Sequence, residues 1–207
     1  SYWENDVNHI IFSCESDLVR CGQSEKVKFV IWNNDLSYLS KQISLLGLTK
    51  DEKSYWINRV LTKNYGYLQE IANEINKNIN TSEFEKQIQE EIQSTHLFDD
   101  TIQVLDRLSS KYNLYLLSNI STPYKECLYN LEIDRYFKKV FFSCDIGYRK
   151  PDPNSFKSVI DYSGLHPNQL IMVGDSQISD CNGALNCGIM TIKKDKSLLR
   201  IEQDLTK

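Results

Sequence analysis

From residue 101 onward, short apolar runs alternate with longer stretches in which apolar residues recur every three or four positions. The runs at 112–117, 139–143, 170–173 and 189–192 are short and rich in β-branched or aromatic side chains, and they predict strands. Between them, residues near 101–111, 123–132, 154–163 and 178–187 carry helical spacing. Pro123 suits the first turn of its helix, and Gly164 and Gly188 follow helical stretches where a left-handed residue ends the helix. Regular alternation of this kind predicts βαβ units and a parallel sheet covered on both faces.

The first half reads differently. Residues 27–32, Val-Lys-Phe-Val-Ile-Trp, predict a strand that opens the α/β core. Residues 40–96 show no convincing strand and are rich in Gln, Glu, Asn, Lys and Leu. Leu61, Tyr65, Leu68, Ile71, Ile75 and Ile79 fall at three- and four-residue steps and predict one apolar stripe, packed inside an inserted helical subdomain. The expected division is an N-terminal extension over 1–26, an α/β core over 27–39 and 97–207, and a helical cap over 40–96. Within the extension, residues 9–13 fit either an extra edge strand or a leader into the domain.

Composition narrows the classes. The 207 residues are 41% hydrophobic and 25% charged, an ordinary globular balance. A net charge of -4 argues against a nucleic-acid partner, which would need clustered Lys and Arg. No apolar run has the length of a bilayer span, and the first residues show neither a basic nor an apolar leader region. Six cysteines without a Cys-x-x-Cys pair, and three histidines, disfavour a zinc site. Cys144 and Cys187 adjoin strand-like runs and read as small buried hydrophobes, so a reduced cytoplasmic protein is expected. The sequence leaves the oligomeric state open.

In an open parallel sheet, ligands bind beyond the carboxyl ends of the strands. The residues found there are Asn33-Asn34-Asp35-Leu36-Ser37, Ser118-Asn119, Arg149-Lys150-Pro151-Asp152-Pro153, and Gly174-Asp175-Ser176 with Asp180. Taken singly, each has an ordinary explanation: strand-end turns for Ser118-Asn119 and Gly174-Asp175, surface charge for Lys150, a helix start for Asp180. Together, at strand ends, they suit phosphoryl transfer. Carboxylates supply hard oxygen ligands for Mg2+, and a lysine and a hydroxyl supply charge and donors to phosphoryl oxygens.

These four segments, in this order, resemble the four motifs of the haloacid dehalogenase superfamily. The family pattern Asp-x-Asp-x-Thr/Ser is matched by residues 33–37 with Asn in its first position; Ser118-Asn119, the Arg-Lys-Pro-Asp-Pro run and Gly-Asp-Ser-x-x-x-Asp match the others. The resemblance covers about residues 27–193 and implies a three-layer Rossmann-like parallel sheet with a C1-type helical cap. It places Asn33 at the nucleophile position of an aspartyl-phosphate mechanism and Asp35 as general acid and base. It places Ser118, Asn119 and Lys150 around the phosphoryl oxygens, with Asn33, Asp35, Asp175 and Asp180 around magnesium. The implied function is a magnesium-dependent phosphatase of a small phosphorylated metabolite. Dehalogenases of the family generally lack the second Asp, so Asp35 argues against that branch.

An amide is a poor nucleophile and a weaker metal ligand than a carboxylate. Three readings of Asn33 stay open: an Asp-to-Asn change that traps substrate, an inactive relative that binds a phosphorylated ligand or a protein partner, or attack by water with Asp35 as base. A phosphoglucomutase-like phosphotransferase is a further alternative, since that group shares the cap type.

Overall fold

Every central strand is apolar on both faces, and that determines the architecture. The computed structural model describes residues 9–13, 19–21, 43, 46–66, 68–75, 80–193 and 203–205. Five strands, β1 (His9–Phe12), β4 (Asn113–Ser118), β5 (Phe137–Phe142), β6 (Leu170–Gly174) and β7 (Met190–Lys193), form one parallel sheet in the order β5-β4-β1-β6-β7. Alternate residues point to opposite faces. Ile10, Phe12, Leu114, Leu116, Ile171 and Val173 belong to one apolar cluster, while Ile11, Tyr115, Leu117, Leu170 and Met172 belong to the other. Burial on both faces erases the polar alternation of a half-exposed strand, so these strands read as continuous apolar runs.

Residues 9–12 were expected as an added edge strand or a leader; they form the central strand, hydrogen-bonded to β4 on one side and β6 on the other. Ile10, Ile11 and Phe12 are each 0% exposed. Residues 27–32, expected to open the core, lie outside the described residues. Two short strands, β2 (Val19–Cys21) and β3 (Thr95–Leu97), pair antiparallel, a pairing the helical reading of residues 40–96 does not contain.

Among the described residues, three helices are delimited between β2 and β3. The first, α1 (Lys50–Thr62), starts at a capping box in which the Thr49 side chain accepts from the Glu52 amide and Glu52 accepts from the Thr49 amide. Helices α2 (Leu68–Ile75) and α3 (Thr81–Gln93) follow. The expected single stripe is divided, because α1 ends at Thr62 and Lys63 is extended. Leu61, Tyr65, Ile71 and Ile75 are nonetheless buried, in the same cluster as Ile88, Ile92, Tyr124 and Leu128. The side chain of Leu68 and residue Ile79 lie outside the described residues.

The second half follows the sequence reading closely. Helix α4 (Thr101–Ser109) precedes β4, and a 3-10 turn (Thr122–Lys125) with Pro123 at its start leads into α5 (Glu126–Asn130). The short α6 (Ser143–Ile146) follows β5, and α7 (Pro153–Ser163) leads toward β6. Gly164 and Gly188 have φ of 67° and 78°, the left-handed values that favour glycine. Cys144 is buried as expected, whereas Cys187 is only partly so; both are free thiols.

Candidate active site

The carboxyl ends of β4, β1 and β6 lie side by side, so Ser118, Ser13 and Asp175 meet at one edge of the sheet. Ser13 directly follows β1, and its amide continues the ladder by donating to the Val173 carbonyl at 3.0 Å. Lys150 arrives from the loop after α6. Its side chain is fully buried, with Nζ 2.8 Å from Asp180 Oδ1 and donating to Ser13 Oγ at 2.8 Å. The surface-charge explanation of Lys150 therefore fails. A buried ammonium needs a counter-charge and acceptors, and Asp180 and Ser13 supply both.

The loops are built to deliver these groups. Asn119 holds the Lys150 backbone from both sides: its Oδ1 accepts from the Lys150 amide at 2.7 Å and its Nδ2 donates to the Lys150 carbonyl at 2.9 Å. Sequence reasoning placed Asn119 on the phosphoryl oxygens; in the structure its carboxamide clamps the lysine backbone. Ser143, buried at the start of α6, accepts from the Ile120 amide at 2.8 Å and donates to the Ile120 carbonyl at 3.2 Å, tying the loop after Ser118 to the end of β5. In the Arg149–Pro153 run, Asp152 caps α7 by accepting from the Asn154 amide at 2.9 Å, and Pro153 occupies the first helical turn. Of that motif, then, Lys150 faces the site and its neighbours shape the turn.

Asp180 sits in a π-helical turn (Gln177–Asn182), a widened geometry that recurs at functional sites. Its Oδ2 accepts from the Ser176 amide at 3.0 Å while Oδ1 meets Lys150, so both oxygens are engaged. A Cβ on Gly174 would lie 2.4 Å from Asp180 Oδ2, and one on Gly183 would lie 2.8 Å from Phe156 Cε2 and 3.2 Å from the Pro151 Cα. Glycine at 174 admits the Asp180 carboxylate; glycine at 183 lets the start of α8 (Gly183–Asn186) pack beside the Lys150-Pro151 turn.

Four buried side-chain oxygens among the described residues lack a hydrogen-bond partner: Asp180 Oδ1, which is ion-paired to Lys150, Ser121 Oγ in the turn beyond Ser118, and, at this edge with no partner of either kind, Ser118 Oγ and Asp175 Oδ1. An unpaired buried polar atom costs about 1–3 kcal/mol, so such atoms mark places where something else is to be bound. A free carboxylate oxygen at Asp175 fits a hard divalent cation of the magnesium type, and a free hydroxyl at Ser118 fits an oxyanion. Among the described residues no group of three or more His, Cys, Asp or Glu is placed to hold a metal. Asn33 and Asp35, expected at the nucleophile and acid/base positions and in the metal shell, lie outside the described residues. Of the expected site, Ser118, Lys150, Asp175 and Asp180 come together. Ser13 was missed, as were the close approaches that require glycine at 174 and 183; for Ser13 the available signal was the apolar run His-Ile-Ile-Phe directly before it.

A cleft of about 210 Å3 opens between the helical insertion and the turn at Thr122 and Pro123, lined in part by Tyr65, Ile71, Ile88, Thr122, Pro123 and Glu126 and by none of the site residues named above. The insertion docks here through polar contacts: the Tyr65 amide donates to Thr122 Oγ1 at 2.9 Å, and Asn64 Nδ2 donates to Asp145 Oδ1 at 2.6 Å. Among the described residues no helix is long and apolar enough to cross a membrane.

The family model described as haloacid dehalogenase-like hydrolase matches residues 30–194. A glyceraldehyde 3-phosphate phosphatase from Methanothermobacter thermautotrophicus is 33% identical over 109 residues, which are 52% of this chain and 48% of that protein. A phosphoserine phosphatase from Thermus thermophilus is 31% identical over 86 residues, 41% of this chain and 34% of that protein. The chain thus spans about half the length, or less, of the curated relatives it matches. Among solved structures, a haloacid dehalogenase-like hydrolase from Porphyromonas gingivalis superposes with a TM-score of 0.68 at 18% identity, covering 98% of this chain and 99% of that one. A family enzyme from Bacteroides thetaiotaomicron, in complex with magnesium and inorganic phosphate, superposes with a TM-score of 0.64 at 18% identity, covering 93% and 98%.

Proposed function

The chain belongs to the haloacid dehalogenase-like hydrolase family, and from that premise we propose that it is a magnesium-dependent phosphatase of a small phosphorylated metabolite. The observation that carries the reading is the pair of unpartnered buried atoms, Ser118 Oγ and Asp175 Oδ1, at the ends of the two strands flanking β1, with the buried Lys150 ammonium on Ser13 at the end of β1 itself. In this reading Ser118 and Lys150 hold the phosphoryl oxygens, Asn119 positions Lys150, Asp175 holds the metal directly, and Asp180 fixes Lys150 and the loop behind it. Magnesium bound at Asp175 would neutralise charge on the transferring phosphoryl group. The relatives that act on phosphorylated metabolites support the substrate class. We read the helical insertion between β2 and β3 as a cap. The free thiols support a reducing, cytoplasmic setting.

Neither Ser13 nor Asn33 is a carboxylate, and in this reading we take water as the acceptor of the phosphoryl group. The new bond forms between the water oxygen and phosphorus, the ester P–O bond breaks, and the alcohol leaves with a proton. A second reading, binding of a phosphorylated ligand without turnover, is favoured by one observation: the group that Lys150 contacts at the end of β1 is a neutral hydroxyl.

The test is a panel of small phosphate esters assayed with Mg2+, beside Ser118→Ala and Asp175→Asn. Phosphate release is expected from at least one ester, lost in Asp175→Asn. Ser118→Ala removes a hydroxyl that has no protein partner. It should weaken phosphate binding while leaving thermal stability unchanged or raised. Binding of orthophosphate with no release from any ester would favour the second reading, and a folded chain that neither binds nor releases phosphate would end both.

A further inference from the structure

The cleft between the insertion and the core has an apolar floor and an acidic rim. Tyr65, Ile71 and Ile88 are buried at its floor, with Pro123 beside them. The Tyr65 hydroxyl donates to Glu74, so Tyr65 has its ring, not a free hydroxyl, to offer there. The rim is Glu85 and Gln89 on α3 and Glu126 at the start of α5, all exposed. Glu85 and Gln89 are four residues apart and share a helix face. Gln89 Nε2 donates to Glu126 Oε2 at 3.4 Å, which brings the carboxylates of the insertion and the core to one opening.

Several carboxylates of this chain meet a cation: Glu74 has Arg59 and Lys63, Glu90 has Lys86, Asp145 has Lys125, and Asp180 has Lys150. Among the described residues neither Glu85 nor Glu126 is ion-paired, and no Lys, Arg or His lines the cleft. Like charges held over an apolar wall repel, and a cation between them relieves that repulsion. A bare divalent ion is a poor match, because it seeks six or more oxygens and the floor here is hydrocarbon. A cation on a hydrocarbon stem satisfies both surfaces, with the stem on the floor and the head at the rim.

We propose that this cleft binds a small organic cation, an ammonium group on a short hydrocarbon, held between Glu85 of the insertion and Glu126 of the core. A volume of about 210 Å3 limits the ligand to a short chain. The cleft shares no residue with the phosphate site, so its binding is independent of the phosphatase reading. Because the two carboxylates come from opposite sides, the bound cation also ties the insertion to the core.

The experiment titrates the isotope-labelled chain by NMR, without phosphate or added metal, following the Gly66 and Gln89 amides at the cleft. The probes are butylammonium and its neutral and anionic counterparts, butanol and butyrate. Butylammonium is expected to bind about tenfold tighter than butanol, since each partly solvated ion pair contributes about threefold, and butyrate is expected not to bind. Glu85→Gln and Glu126→Gln keep side-chain size at exposed positions, which preserves the fold; each should weaken butylammonium about threefold and leave butanol unchanged. Glu90→Gln removes the same charge from the same helix outside the cleft and should change neither. Butylammonium that binds no tighter than butanol, or that shifts neither amide, overturns the proposal. An equal loss in Glu90→Gln overturns it by making the attraction a property of net charge. Unchanged butylammonium binding in both Glu85→Gln and Glu126→Gln overturns it as well. Displacement of butylammonium by equimolar Mg2+ would assign the rim to a metal ion instead.

Discussion

The sheet edge and the helical insertion both use lysine–carboxylate contacts, but in opposite surroundings. At the edge, Lys150 and Asp180 have side chains that are 0% exposed. In the insertion, Arg59 and Lys63 reach Glu74 from positions 39% and 35% exposed, with Glu74 itself 31% exposed. Tyr65 joins the second cluster by donating to Glu74 at 2.7 Å. Removing one partner of a buried pair strands a charge in a poor solvent, whereas water replaces most of what an exposed pair provides. The two contacts thus have unequal jobs. One is a fixed part of the site's geometry; the other trims the surface of a subdomain attached to the core by the Asn64, Tyr65 and Thr122 contacts.

The largest expected effect tests that inequality directly. Lys150→Met leaves Asp180 buried without its cation and should cost about 3–5 kcal/mol of unfolding free energy, read by urea titration. Next is Gly174→Ala, whose methyl group would meet Asp180 Oδ2 at 2.4 Å and Cγ at 2.5 Å. A loss of about 1–3 kcal/mol is expected from displacing that carboxylate, with lowered orthophosphate affinity. The smallest is Glu74→Gln, expected to cost less than about 1 kcal/mol by the same titration. A Glu74→Gln loss as large as that of Lys150→Met would break the comparison.

The Glu74 cluster also predicts a pH dependence. Hydrogen bonds from Lys63, then from Tyr65, hold its carboxyl below the ordinary glutamate value of 4.5. A carboxylate with a depressed folded-state pKa adds stability that is fully present above its unfolded value and fades as pH falls through the folded one. Acidification below about pH 4.5 should therefore narrow the stability difference between the unaltered chain and Glu74→Gln, a convergence visible in melts recorded from neutral to acid pH.

The sequence made the two regions unequally legible. The strands from residue 113 onward were readable because each is a short β-rich run bounded by a helix, a glycine or a proline, and Ser118, Lys150, Asp175 and Asp180 followed from strand ends alone. The first strand was not. The runs at 9–12 and 27–32 are both apolar and β-compatible, and the longer one invites the choice. What separates them is the slot between β4 and β6, created by residues more than a hundred positions away and invisible to local pattern. The clamp of Asn119 on Lys150 was not legible for a related reason. A carboxamide after a strand has the same local signal whether it turns toward a ligand or clamps a distant backbone. Gly174 showed as a turn residue, while the carboxylate that demands its missing side chain comes from a tertiary approach.

The placement of β1 carries a consequence for synthesis. Its two hydrogen-bonded edges are covered by residues 113–116 and 170–173, so this strand emerges first and is enclosed late. Long-range pairing of this kind is slow, and an exposed apolar strand invites pairing with other chains. Until the ribosome has delivered β6, the segment His9–Phe12 keeps at least one unsatisfied edge. Chains halted before residue 170 should accumulate as aggregates, with the N-terminal strand as their seed.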